Sequence, residues 1–177
     1  MIELYTDGSA KANGKENNCG GFGVCVLVPD ESRKSGFRID YTISKQFKNI
    51  TNNQMELQAI ISALNLTQSR YKNEKCIIKS DSAYCVNMFN DWIYHWHRNG
   101  WVRQKNQPVE NLDLVKQIWE YCKLEWPNFI VEKIPGHSGL LGNEVADALA
   151  TNNQEKLDKI FLNNEDLYNI VENFDLQ

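Results

Sequence analysis

The stretch Cys19-Gly20-Gly21-Phe22-Gly23-Val24-Cys25-Val26-Leu27-Val28 decides the architecture. It reads as a strand with a glycine-rich start and a continuous apolar run behind it. Pro29-Asp30-Glu31-Ser32 follows as a turn, and Gly36 to Phe47 reads as a further strand. Upstream, Met1 to Tyr5 alternates in the manner of a strand, and Asp7-Gly8-Ser9 through Gly14 is a turn-rich loop. Three consecutive strands with short connections predict an antiparallel meander.

Beyond the meander the character changes. Thr51 or Asn52 caps a helix whose Met55, Ala59, Ile60, Ala63, Leu64 and Thr67 fall at helical spacing. Cys76-Ile77-Ile78 is a short buried strand that ends at Ser80-Asp81-Ser82, and a second helix runs from Ala83 to about Tyr94. A stretch rich in Trp, His and Arg occupies Trp92 to Pro108. Leu112, Val115, Ile118, Trp119 and Cys122 mark another helix, which Trp126-Pro127 ends. Phe129 to Ile134 is a fifth strand, Pro135 to Gly139 a loop, and Asn143 to Ala150 a helix. The order predicts an α/β fold: a five-stranded mixed sheet, three antiparallel strands and then two parallel ones, flanked by helices. The first and fourth strands then lie side by side, and a crevice opens near Asp7 and Asp81.

A chain of 177 residues, 42% hydrophobic and 24% charged, is globular and long enough to bury a core. No apolar run approaches the roughly 18–20 residues that span a bilayer, and Met1-Ile2-Glu3-Leu4 does not begin a secretory signal. No membrane partner is expected. Cys19, Cys25, Cys76, Cys85 and Cys122 are odd in number and irregular in spacing, which disfavours a zinc site or a disulfide framework. Reduced thiols fit a cytoplasmic protein, expected as a monomer.

The net charge of −4 must be divided before it is used. Residues 155–177 hold Lys156 and Lys159 against Glu155, Asp158, Glu165, Asp166, Glu172 and Asp175, a balance equal to the whole net charge. Residues 1–154 are therefore neutral and open to either kind of partner. The expected division is a domain over residues 1–153 and an acidic, helical extension over 154–177. The extension carries Leu157, Ile160, Phe161, Leu167, Ile170, Val171 and Phe174 as an apolar stripe.

Four acids stand out by position. Asp7 is expected to end the first strand, Glu56 to sit in the first turn of the first helix, and Asp81 to end the fourth strand. Asp147 lies in the helix after the His137 loop, one turn beyond Glu144. Glu56 alone would read as a solvated charge or a helix N-terminal acid; for Asp7 and Asp81 that reading is weaker, because each follows a buried apolar strand and precedes a turn. Four converging on one crevice would repel and be stable mainly with bound divalent cations. Hard oxygen ligands select Mg²⁺ or Mn²⁺ over zinc. Two such ions about 3.5–4 Å apart are a standard device for in-line phosphodiester hydrolysis.

Several motifs stand together in one order. They are Asp7-Gly8-Ser9 with Gly20-Gly21-Phe22-Gly23, Thr51-Asn52-Asn53-Gln54-Met55-Glu56-Leu57, Ser80-Asp81-Ser82, Gly136-His137-Ser138-Gly139 and Gly142-Asn143-Glu144-Val145-Ala146-Asp147. In that order, over about residues 1–152, they resemble the ribonuclease H, type 1 family. Trp92 to Trp96, Gly100-Trp101 and Pro108 to Asp113 look like that family's handle, about residues 92–110, which grips the DNA strand.

The resemblance implies an endonuclease that hydrolyses the RNA strand of an RNA–DNA hybrid, leaving 5′-phosphate and 3′-hydroxyl ends, with two Mg²⁺ ions per site and Mn²⁺ as a substitute. It implies that Asp7 bridges both ions, that Glu56 and Asp81 complete the site near the leaving 3′ oxygen, and that Asp147 holds the ion beside the attacking water. Glu144 would affect metal binding and product release, and His137 would assist proton transfer or product departure. Gly8, Ser9, Asn13, Asn53 and Gln54 would read the RNA strand, whose 2′-hydroxyls distinguish it from DNA. Thr51 and Asn52 would hold a DNA phosphate. In the handle, Trp92 and Trp96 are expected to pack and Trp101 to be partly exposed to the sugar face, with Arg98, Arg103 and Lys105 as fixed cations. Ala83 stands where the family often has glutamine. Setting aside Asp7, Glu56, Asp81, Glu144 and Asp147 leaves the rest of residues 1–154 at +5, a sign suited to phosphates.

Two rivals are weighed against this reading. A DNA-cutting resolvase or integrase core on the same fold would lack the Thr51–Gln54 and handle segments. A non-catalytic hybrid-binding module would not need acids at every matching position. The extension has its own rival reading, a docking peptide for a partner.

Overall fold

The computed structural model describes residues 1–11, 18–136 and 138–164. Strands β1 (Ile2–Lys11), β2 (Cys19–Pro29), β3 (Phe37–Lys48), β4 (Cys76–Ser80) and β5 (Phe129–Lys133) form one sheet in the order β3-β2-β1-β4-β5. The β1–β2 and β2–β3 pairs are antiparallel, and β1–β4 and β4–β5 are parallel. The mixed sheet and the central neighbours β1 and β4 are those expected. One boundary differs: β1 does not stop near Tyr5 but pairs with β2 as far as Lys11 opposite Cys19. Asp7 therefore lies within a strand rather than at its end. Pairing satisfies the backbone of this polar segment, which overrides the turn signal of Asp7-Gly8-Ser9.

Alternation along the strands sends side chains to two faces. Leu4, Val24, Val26 and Ile78 point to α1 (Asn52–Gln68), burying Leu57, Ile60 and Leu64 with them. Tyr5, Cys25, Leu27 and Ile39 point the other way, to α5 (Leu141–Ala150). The segment after β4 is one continuous helical path in three pieces: α2 (Ala83–Asn87), a π-helical turn (Met88–Trp92) and α3 (Ile93–Arg98). It runs past the expected end near Tyr94. A loop closed by a Val102–Pro108 bridge leads to α4 (Leu112–Cys122), whose Val115 and Ile118 join the α1 side of the core.

The final described helix, α6 (Gln154–Leu162), is docked. Leu157 and Phe161, each 4% exposed, pack into the same cluster as Tyr5 and Leu149. Asn153 caps it by accepting the Lys156 N–H at 2.9 Å. The extension thus contributes to the core at least as far as Phe161; Leu167, Ile170, Val171 and Phe174 lie outside the described residues. All five cysteines are free thiols. Among the described residues, no helix is long and apolar enough to cross a membrane.

Candidate active site

Two glycines bring helices into contact with the strands that carry the acids. At Gly8 on β1, a Cβ atom would stand 2.2 Å from the backbone nitrogen of Glu56, so α1 rests directly on the strand there. At Gly23, which faces Asp7 across the β1–β2 ladder, a Cβ would stand 2.1 Å from the Ala146 carbonyl oxygen. The absence of side chains at these two points lets α1 deliver Glu56 and α5 deliver Asp147 to the neighbourhood of Asp7. Glu56 sits in the second turn of α1, one residue deeper than expected, because the helix starts at Asn52 behind the Thr51 cap.

Asp7, Glu56 and Asp81 each place one carboxylate oxygen within 4.8 Å of the others. Asp81 follows β4 directly, and the Pro135–Gly136 loop leans on it, with its Oδ2 3.0 Å from where a Gly136 Cβ would be. Ser82, not Asp81, caps α2 by accepting the Cys85 N–H at 3.3 Å. Asp81 is thereby left without a capping duty.

The electrostatics of this cluster are strained. Burial, then the charges of Asp81 and Asp147, hold the Asp7 carboxyl well above its ordinary value, against the Gly8 N–H that donates to its Oδ1 at 2.8 Å. Burial, then Asp7 and Asp81, push Glu56 up to about 9, and the charge of Lys133 opposes the shift. Glu56 Oε2 is buried and has no hydrogen-bond partner among the described residues. An orphaned carboxylate oxygen inside a trio of acids is the environment a hard divalent cation would relieve. These residues fit such an ion.

Asp147 is held differently. Lys156 of α6 reaches back to it, with Nζ 2.5 Å from Asp147 Oδ2 and 2.6 Å from Glu144 Oε2. Partial burial disfavours the ammonium, but the hydrogen bonds and charges of the two acids outweigh it and raise the Lys156 pKa above its ordinary value. Lys156 is absent from the sequence-based site. Its position depends on the docking of α6, and the lysine falls in no motif.

The expected substrate groups are placed as follows. Thr51 and Gln54 form a capping box: Thr51 Oγ1 accepts the Gln54 N–H at 3.3 Å, and Gln54 Oε1 accepts the Thr51 N–H at 2.8 Å. Asn52 Oδ1 accepts the Ala10 N–H at 2.6 Å and ties the end of β1 to the start of α1. Gly8 is buried, Ser9 half-buried and Asn53 exposed. Trp92 and Trp96 are half-buried with ring centroids 6.0 Å apart. Trp101 is half-buried too, edge-on to His97 at 5.5 Å and to Trp119 at 6.2 Å. Arg98 contacts His95 at 3.1 Å, Arg103 pairs with Glu110 at 2.8 Å, and Lys105 is exposed. Asn13 and His137 lie outside the described residues.

The RNase H family model matches residues 1–155. A ribonuclease H from Clostridium botulinum (strain Hall) is 38% identical over 152 residues, which cover 84% of this chain and 92% of the relative. A ribonuclease H from Caldanaerobacter subterraneus is 35% identical over 158 residues, covering 88% of this chain and 92% of the relative. The solution structure of the PFV RNase H domain superposes with a TM-score of 0.69 at 25% identity, covering 85% of this chain and 92% of that domain. The glycine contacts, the acidic cluster and these likenesses agree: the chain belongs to the RNase H family and is a nuclease.

Proposed function

We propose that this chain is an endonuclease that cuts the RNA strand of RNA–DNA hybrids with two Mg²⁺ ions, releasing 5′-phosphate and 3′-hydroxyl ends. The observation that carries the metal reading is the convergence of Asp7, Glu56 and Asp81 around an orphaned Glu56 oxygen. The family carries the substrate class.

Bound divalent ions would supply the Lewis-acid charge that lowers the pKa of an attacking water and stabilises the leaving oxygen. Asp7, Glu56, Asp81 and Asp147 would hold them, with Glu144 at the rim. The water oxygen bonds to phosphorus, the P–O3′ bond breaks, and a proton ends on O3′. The chain's own work is positioning. β1 packs against α1 on one face of the sheet together with β4, and against α5 on the other, so the four acids are fixed relative to one another before substrate arrives. Gly8, Ser9, Asn13, Asn53 and Gln54 would face the RNA strand, and Thr51 and Asn52 a DNA phosphate. Trp92, Trp96, Trp101, Arg98, Arg103 and Lys105 would form the handle. His137 would assist proton transfer or product departure. The working protein is a cytoplasmic monomer in this reading.

The test is incubation with Mg²⁺ and end-labelled hybrid, double-stranded RNA and double-stranded DNA in parallel, with a chelator control. Cleavage confined to the RNA of the hybrid, abolished by chelation and leaving 3′-hydroxyl ends, is expected. Cleavage of the DNA duplex would favour a resolvase-like enzyme, and hybrid binding without cleavage a binding module.

A further inference from the structure

The five acids divide into two electrostatic situations. Asp7, Glu56 and Asp81 share a compact space; among the described residues none of them is in an ion pair, and the charge of Lys133 acts on Glu56 only from a distance. Asp147 and Glu144, one turn apart on α5, instead share one ammonium, Lys156 Nζ, at 2.5 and 2.6 Å. All three partners are more than two-thirds buried, with side-chain exposures of 28% for Lys156, 24% for Glu144 and 23% for Asp147.

The lysine is presented rather than loosely tethered. Its own N–H is donated to the Asn153 cap, the next residue Leu157 is buried, and Phe161 one turn on is buried as well. The other lysine of α6, Lys159, pairs with Glu155 on the exposed side of the helix, where both partners are more than two-thirds exposed. Of the two, only Lys156 faces the acids. It also stands one residue beyond the part of the chain that matches the family.

We propose that Lys156 is a resident counter-cation at the Asp147–Glu144 edge of the site. It competes there with the second divalent ion and sets the order of metal loading. The first ion enters at Asp7, Glu56 and Asp81, where no ammonium must be displaced. The second takes Asp147 only as Lys156 releases it. The ammonium neutralises Asp147 and Glu144 in the metal-free protein, so these acids do not add fully to the repulsion around Asp7. The same contact weakens the second ion, because part of its attraction is spent breaking an existing ion pair. Lys156 is on this account a positioning residue and touches no substrate. The inference rests on the two-ion reading above.

The experiment is equilibrium Mn²⁺ binding to the metal-free full chain without substrate, with free Mn²⁺ followed by electron paramagnetic resonance. The wild type should bind one ion well and a second much more weakly. In K156Q the second ion should bind about tenfold more tightly, the size expected for removing a partly buried ion pair. K156R, which keeps the charge, should stay near the wild type, and K159Q should match it. A merely structural tie between α5 and α6 would lower the melting temperature of K156Q and leave its second binding step unchanged. That unchanged step overturns the proposal while leaving the two-ion reading intact. A second ion that binds the wild type as tightly as the first also overturns it. Absence of any second ion from K156Q also overturns the proposal.

Discussion

Gly8 and Glu56 are in backbone contact: a Cβ atom on Gly8 would lie 2.2 Å from the Glu56 nitrogen and 2.7 Å from its Cα. The glycine next to Asp7 is thus the seat on which α1 rests. Gly8→Ala cannot be absorbed by a flexible side chain, since the obstacle is helix backbone. The helix must lift, at a cost of about 1–3 kcal/mol, and Glu56 moves away from Asp7. We expect a lower melting temperature and a fall in kcat of about 10²-fold, the scale of a misplacement near 1 Å. Steady-state kinetics with thermal melts checks this; a fully active alanine variant would show that α1 can relax without moving Glu56.

Asp81→Asn keeps the shape and removes a charge. Ser82 caps α2, so helix stability does not depend on Asp81. Cleavage should fall by about 10²-fold or more, as for loss of a group that stabilises transition-state charge. Hybrid Kd measured in Ca²⁺ should change little, and the metal-free protein should melt at the same temperature or higher, since a member of a repelling cluster is gone. Near-normal cleavage would defeat the metal-ligand assignment.

The acid cluster also makes metal-free stability depend on pH. Glu56 is raised from its ordinary 4.5 to about 9, and Asp7 is raised as well. A carboxyl with a raised folded-state pKa keeps its proton in the folded state after the unfolded chain has lost it. Its contribution is full below the unfolded value and is lost as pH rises through the folded one. Metal-free stability should therefore decline between about pH 4.5 and 9 on account of these two groups. Added Mg²⁺ should raise the melting temperature more at pH 9 than at pH 5. Melts at the two pH values, with and without Mg²⁺, decide it, and an equal Mg²⁺ effect at both would argue against the cluster as the binding place.

Ending the chain at Asn153 removes Leu157 and Phe161 from the α5 side of the core. Burying each such side chain stabilises by about 1.5–3 kcal/mol, against a typical total of about 5–15 kcal/mol. The truncated chain should unfold at a clearly lower urea concentration than the full chain. An unchanged midpoint would mean that α6 contributes nothing to the fold.

The sequence by itself determined the order of strands and helices, because apolar periodicity reports which face of each element is buried. It also determined the family, because Asp7, Glu56, Asp81 and Asp147 each sit in a local motif that survives without knowledge of contacts. It misjudged the end of β1, since Asp7-Gly8-Ser9 has turn propensities that pairing with Gly21, Phe22 and Gly23 overrides. Only the tertiary structure decided that Gly8 and Gly23 are contact points for α1 and α5, because a missing side chain looks the same in a turn and under a helix. Only it brought Lys156 to Asp147 and Glu144. That contact joins two helices across a tight turn, and its direction is set by the burial of Leu157 and Phe161 against Tyr5 and Leu149, residues far away along the chain. Local periodicity identifies which side of α6 is apolar. What the charged side then meets depends on where the rest of the fold has placed its neighbours.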